Sequence, residues 1–141
     1  MIKHKVYKDL NNKEINIIEK GISNNNNPLV KSNFIYRYLH RKYSVYIFFY
    51  SEGEIVGVIN FFKFRNDCSI DFLYVREKFI RQGYADKLID EVLKRYTHNK
   101  IEFELDKKNK RYKSQFKFYA AKGFVFKEHT GHNNIKLEKL N

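Results

Sequence analysis

Tryptophan is absent from this chain, and cysteine, methionine and proline occur once each. The single cysteine, Cys68, excludes an intramolecular disulfide. The five histidines, His4, His40, His98, His129 and His132, show no ligand spacing and no cysteine or carboxylate partners at metal spacing, so no metal site is expected. Long apolar runs are missing too. The longest, Val45 to Tyr50, falls far below the ~20 residues that a membrane-spanning helix needs, and no secretory leader is expected. A cytoplasmic protein without a membrane partner is the default reading. There are no internal repeats, and 141 residues suffice for one core but not two, so a single domain over 1–141 is expected.

What the chain has in excess is aromatic side chains, 17% of residues, which predicts a core packed with Phe and Tyr. Lys5 to Leu10 reads as a first strand and Lys13 to Lys20 as a short helix, before the run Asn24-Asn25-Asn26-Asn27-Pro28 breaks the pattern. A second helix is expected from Leu29 to about Arg41. Strands follow over Val45 to Tyr50 and Ile55 to Phe64, joined through Glu52 and Gly53, and then over Ser69 to Val75. Ala85, Leu88, Ile89, Val92, Leu93 and Tyr96 recur at helical spacing and predict a helix ending near Tyr96. Lys100 to Asp106 alternates Ile101, Phe103 and Leu105 with Glu102, Glu104 and Asp106, as a strand with one wetter face should. A helix from about Tyr112 to Lys122 ends at Gly123, and strands Phe124 to Glu128 and Asn134 to Leu140 turn at Gly131. This order predicts a central sheet with helices on both faces.

Gly83 stands where a turn becomes a helix. Without a Cβ there the backbone can approach a ligand closely, and the unpaired amides of the first helical turn, with the positive end of the helix dipole, form an anion site. Arg81 and Gln82 add side-chain donors beside it, which suits a pyrophosphate better than a single carboxylate.

The run Lys78-Phe79-Ile80-Arg81-Gln82-Gly83-Tyr84-Ala85 resembles the Arg/Gln-x-x-Gly-x-Gly/Ala phosphate loop of the GNAT superfamily, the acetyl-CoA-dependent N-acyltransferases. Ser51 to Val58 looks like that superfamily's second hairpin. Phe118 to Phe124 looks like its tyrosine-bearing helix, and Lys136 to Leu140 like its closing strand, so the resemblance covers about residues 45 to 140. Two departures stand out. Ile80 holds the loop position where the family usually has Arg or Gln, and Tyr112 and Gln115 replace the Asn-x-x-Ala that commonly precedes the tyrosine. The resemblance implies an α/β fold of GNAT type, with a mixed, mostly antiparallel sheet and one parallel pair that splays apart at Val75 and Asp106. It implies acetyl-CoA as the acyl donor, its thioester in that wedge. The pantetheine would pair with the amides of Leu73, Tyr74 and Val75, and the pyrophosphate would lie on Arg81, Gln82, Gly83, Tyr84 and Ala85.

Acyl transfer to an amine needs a proton acceptor for the amine, a donor polarising the thioester carbonyl, and an acid for the departing thiolate. Tyr119 matches the family's tyrosine general acid, and a phenol of pKa about 10 can donate without ionising at neutral pH. The amide of Val75 would polarise the carbonyl. For the base, Asp71 is the first choice, because alternation puts it on one strand face with Leu73 and Val75. Glu102, Glu104 and a water chain are rivals. Cys68 reads as a buried or strand-edge thiol.

The resulting expectation is an N-acetyltransferase, monomer or homodimer, acting on an amine of a small molecule or of a peptide or protein. The alternative is a basic RNA-associated member acetylating aminoacyl-tRNA, or a CoA-binding module without catalysis. The net charge of +12 bears on this choice, because positive surfaces concentrate polyanions. A lysine-, asparagine- and isoleucine-rich compositional bias is the preferred explanation, with nucleic acid the less favoured partner. The densest run, Lys107-Lys108-Asn109-Lys110-Arg111-Tyr112-Lys113, is expected near the adenosine end of CoA, where one or two cations would meet the 3′-phosphate.

Overall fold

The computed structural model describes residues 1–24, 43–96 and 100–140. Seven strands form one sheet in the order β1-β2-β3-β4-β5-β7-β6. They are β1 Ile2–Val6, β2 Ser44–Ser51, β3 Glu54–Phe64, β4 Asp67–Val75, β5 Lys100–Asp106, β6 Val125–His129 and β7 Asn134–Lys139. Helix α1 spans Asn12–Asn24, α2 Tyr84–Arg95 and α3 Tyr112–Ala121. Among the described residues only β4 and β5 pair in parallel; the other strand pairs are antiparallel. The helix expected over Leu29 to Arg41, and most of the asparagine run before it, lie outside the described residues.

Two cores follow from strand alternation. Ile47, Ile59, Phe61, Ile70, Ile101, Phe103 and Leu137 point to one face, where Leu88, Ile89 and Val92 of α2 and Tyr119 of α3 cover them. Tyr46, Phe48, Val58 and Phe72 point to the other, under Ile17 and Ile18 of α1. Helices therefore lie on both faces, and the aromatic-rich sequence does supply the largest buried side chains, Tyr46, Phe48 and Phe61. Among the described residues no helix is long and apolar enough to cross a membrane.

The strands expected from Val45, Ile55 and Lys100 are present almost residue for residue. The β2–β3 turn has both Glu52 (φ 52°) and Gly53 (φ 77°) in the left-handed region, the conformation a two-residue hairpin turn demands. The first strand differs. It covers Ile2–Val6, not Lys5 to Leu10, and a 3₁₀ turn occupies Tyr7–Asp9. The cause is the start of α1, where Asn11 Oδ1 accepts from the Glu14 amide (2.9 Å) and Glu14 Oε1 accepts from the Asn11 amide (2.9 Å). This capping box obliges the chain to leave the sheet before Asn11. Glu14 itself is fully buried, and also accepts from Lys5 Nζ and the Tyr50 hydroxyl.

Candidate active site

The parallel pairing of β4 with β5 runs from Asp67↔Lys100 to Ile70↔Phe103 and then stops. Beyond that pair β4 continues to Val75 against β3 alone, and β5 continues to Asp106 against β7 alone, so a wedge opens between them. The hydrogen-bond phase fixes which groups face it. The Arg76 amide donates to Val56 O (2.9 Å), which makes Gly57↔Val75 a non-hydrogen-bonded pair of the antiparallel ladder. In such a pair the N–H and C=O groups point away from the partner strand. Val75 and, two residues earlier, Leu73 thus turn their N–H groups into the wedge, whereas Tyr74 spends its own on β3. Of the three amides expected to line it, two do. Gly57 permits this approach, since a Cβ there would stand 2.6 Å from Tyr74 O and 3.2 Å from Val75 Cα.

The loop after β4 is held by charge. Glu54, at the start of β3, receives Arg76 Nη1 at 3.0 Å and Lys78 Nζ, and Arg76 also donates to Ile55 O at 2.9 Å. The chain then passes through Arg81 (φ 67°) and Gly83 (φ 83°), both left-handed, and Gly83 caps α2. Nothing of the protein lies within 4 Å of where a Gly83 Cβ would be, so the space above this helix start is open. Arg81 is exposed. The Gln82 side chain folds back and donates to Lys78 O (3.3 Å). Tyr84 packs between Phe49 and Phe79, with ring centroids 4.9 and 6.0 Å away, and Ala85 is half-buried.

Tyr119 lies in the core beside the last β4–β5 pair. Its ring stacks on Phe103 (centroids 4.3 Å, 25°), the residue of the last β4–β5 pair, and Phe118 and Phe124 meet it edge-on. Burial pushes its phenol above the ordinary value, so the hydroxyl stays protonated throughout the physiological range. The core contact of this helix is thus Tyr119 itself as much as Phe118. Phe103 went unnoticed in the sequence as the platform for it, although its place on the inward face of β5 was legible.

The carboxylates sort by level. Asp71 and Glu104 are the first residues of their strands beyond the last parallel pair, Ile70↔Phe103. Glu102 lies below that point. Burial works to raise its pKa, but Lys127, Lys100 and Lys136 outweigh it and hold the carboxyl below the ordinary value. That leaves Glu102 a poor base. Asp71 is buried, 7% exposed, and sits in a β-bulge, since Phe61 pairs with Ile70 and Asn60 with Phe72. The bulge shifts the alternation between Ile70 and Phe72, while Leu73 and Val75 keep the face of Ile70. Ile70 belongs to one core and Phe72 to the other, so the period of two does not run through residue 71.

Other candidates fall away from the wedge. Cys68 is buried in the core and burial pushes its thiol up to about 11, an inert state. His4 bridges Glu91 and Arg95 at 3.2 Å each, and His129 lies edge-on to Phe126. His40 and His98 lie outside the described residues.

Comparison with known proteins agrees with this geometry. A family model described as "Acetyltransferase (GNAT) domain" matches residues 13–136. No curated protein matches the sequence. Among solved structures, the ribosomal-protein-alanine N-acetyltransferase of Brucella melitensis is similar with a TM-score of 0.72 at 14% identity, covering 100% of this chain and 99% of that one. The Campylobacter jejuni N-acetyltransferase PseH, in complex with acetyl coenzyme A, gives 0.66 at 19% identity over 99% of both chains. The PaiA N-acetyltransferase of Thermoplasma acidophilum, in complex with coenzyme A, gives 0.68 at 13% identity over 100% and 99%.

Proposed function

The chain belongs to the GNAT acetyltransferase family, and from that premise we propose that it moves the acetyl group of acetyl-CoA to a primary amine of a small molecule or of a peptide or protein in the cytoplasm. The observation that carries this reading is that Tyr119 stacks on Phe103, the residue at which β4 and β5 part. In this reading the proton donor, the strand amides of Leu73 and Val75 and the open helix start would serve one bound acetyl-CoA. The pyrophosphate would rest on the amides of Arg81 to Ala85, with the Arg81 guanidinium beside it. The pantetheine would lie along Leu73 and Val75 as an added strand does.

In this reading the amine nitrogen bonds to the acetyl carbon and the carbon–sulfur bond breaks. The Val75 N–H stabilises the carbonyl oxygen, the Tyr119 hydroxyl gives its proton to the thiolate, and Asp71 receives the proton of the amine. The test is release of free CoA from acetyl-CoA across a panel of amines and peptides. The expected result is turnover with at least one amine class that collapses in Tyr119→Phe; binding of CoA with no turnover on any amine would overturn the enzyme reading.

A further inference from the structure

Half of the net charge sits in eleven residues at the rim of the wedge. Residues 107–117 hold six cations and no carboxylate, +6 of the +12 of the whole chain. All six, Lys107, Lys108, Lys110, Arg111, Lys113 and Lys117, are exposed, and among the described residues none makes an ion pair. Other cations are neutralised close by: Lys5 by Glu14, Lys122 by Asp86 and Asp90, Lys127 by Glu102 and Glu138. The basic run leaves the C-terminal end of β5, where the wedge is widest, and the Lys107 amide ties it to Asn133 O in the β6–β7 turn (2.8 Å).

Lys113 and Lys117 stand one helical turn apart on α3, and Lys107, Lys108, Lys110 and Arg111 lie in the turn that leads into it, while Tyr112, Phe116 and Tyr119 pack inward. Like charges at this spacing repel, and α3 has no acidic residue in its first turn to offset them. The fold gains nothing from this arrangement, so its explanation belongs to a partner. CoA is too small to be that partner alone, since two of its phosphates lie at the Arg81 loop in the reading above. A nucleic-acid backbone carries a fixed negative charge on every unit, which suits six exposed cations within eleven residues, and neutralising it releases counterions.

We propose that residues 107–117 are a docking strip for the phosphate backbone of single-stranded RNA beside the acetyl-transfer wedge. The inference rests on the proposed seating of CoA at the Arg81 loop, but binding is read without acetyl-CoA, so its failure is distinguishable from failure of acetyl transfer. The test uses the full chain and a labelled oligouridine of about 20 nucleotides, followed by fluorescence anisotropy. Three neutralised phosphates predict a loss of about twentyfold in affinity from about 50 to about 200 mM salt. Lys110→Gln/Lys113→Gln/Lys117→Gln should weaken binding at least about tenfold and flatten that dependence, with a melting temperature unchanged or raised. Lys13→Gln/Lys20→Gln/Lys94→Gln removes the same charge from exposed sites elsewhere and should stay within about twofold. Equal losses in both variants would reduce the effect to net charge and overturn the site. Tighter binding of polyglutamate than of oligouridine would overturn it in favour of an acidic protein. Displacement of the RNA by CoA, with matching loss of CoA affinity in the first variant, would assign the strip to CoA instead.

Discussion

A phenol enclosed by three aromatic rings, with its pKa raised by burial, stays protonated near neutral pH, so it can enter an acid–base step there only as the donor. Tyr119→Phe deletes only the oxygen and keeps the stacking on Phe103. Fold and CoA affinity should therefore persist while kcat falls about 10²-fold, and the loss should shrink with an acyl donor whose leaving thiol is more acidic. Steady-state kinetics with two donors checks this, and equal losses with both would point to packing. Arg81 is a different case, since its guanidinium supplements backbone amides. Arg81→Ala should cost about 1–2 kcal/mol in CoA affinity by calorimetry, less at high salt. At this scale the sequence was a mixed guide. The place of Tyr119 near the end of α3 was legible, because Phe118-Tyr119 followed by Gly123-Phe124 marks a helix and its stop. The situation of Asp71 was not, because a β-bulge depends on how β3 pairs, and Glu102 is bound by Lys127 and Lys136, which lie far away in the chain.

Among the elements, β4 is the one whose position matters most, and Gly57 sets it. A Cβ at residue 57 meets backbone atoms of Tyr74 and Val75, which cannot swing aside as a side chain can. Gly57→Ala should destabilise by about 1–3 kcal/mol and weaken CoA binding through the displaced strand edge; an unchanged melting temperature would contradict the close approach. The start of α1 provides a second test. Glu14 is buried, which works to raise its pKa, but Lys5, Tyr50 and the Asn11 amide outweigh that and hold it below the ordinary 4.5. A carboxyl with a lowered folded-state pKa stabilises the fold above the unfolded value, and that contribution is lost as pH falls through the folded value. Glu14→Gln should therefore be destabilised at neutral pH and lose less than wild type on acidification below about pH 4.5, followed by melting against pH. Alternation made β5 readable to the residue, because Ile101, Phe103 and Leu105 face a covered side and the glutamates between them do not. β1 was misread because Tyr7 to Leu10 carries strand-like residues into a 3₁₀ turn that only the Asn11–Glu14 capping box explains. That signal was present as Asn-x-x-Glu.

For the molecule as a whole, the order of elements sufficed to anticipate a mixed sheet covered on both faces, since the connection from β4 through α2 to β5 is long enough to make those strands parallel. How far they stay paired was beyond composition or periodicity, because it depends on where β3 and β7 draw the two strands apart. The wedge that results is the centre of the account, and its most direct test is a calorimetric titration of CoA into wild type, Gly83→Val and Tyr119→Phe. Wild type should bind in the micromolar range, Tyr119→Phe equally well, and Gly83→Val should show no binding, because a β-branched side chain would fill the open space over the helix start and resist the left-handed φ of 83°. Binding of CoA by Gly83→Val as tight as that of wild type would contradict the account.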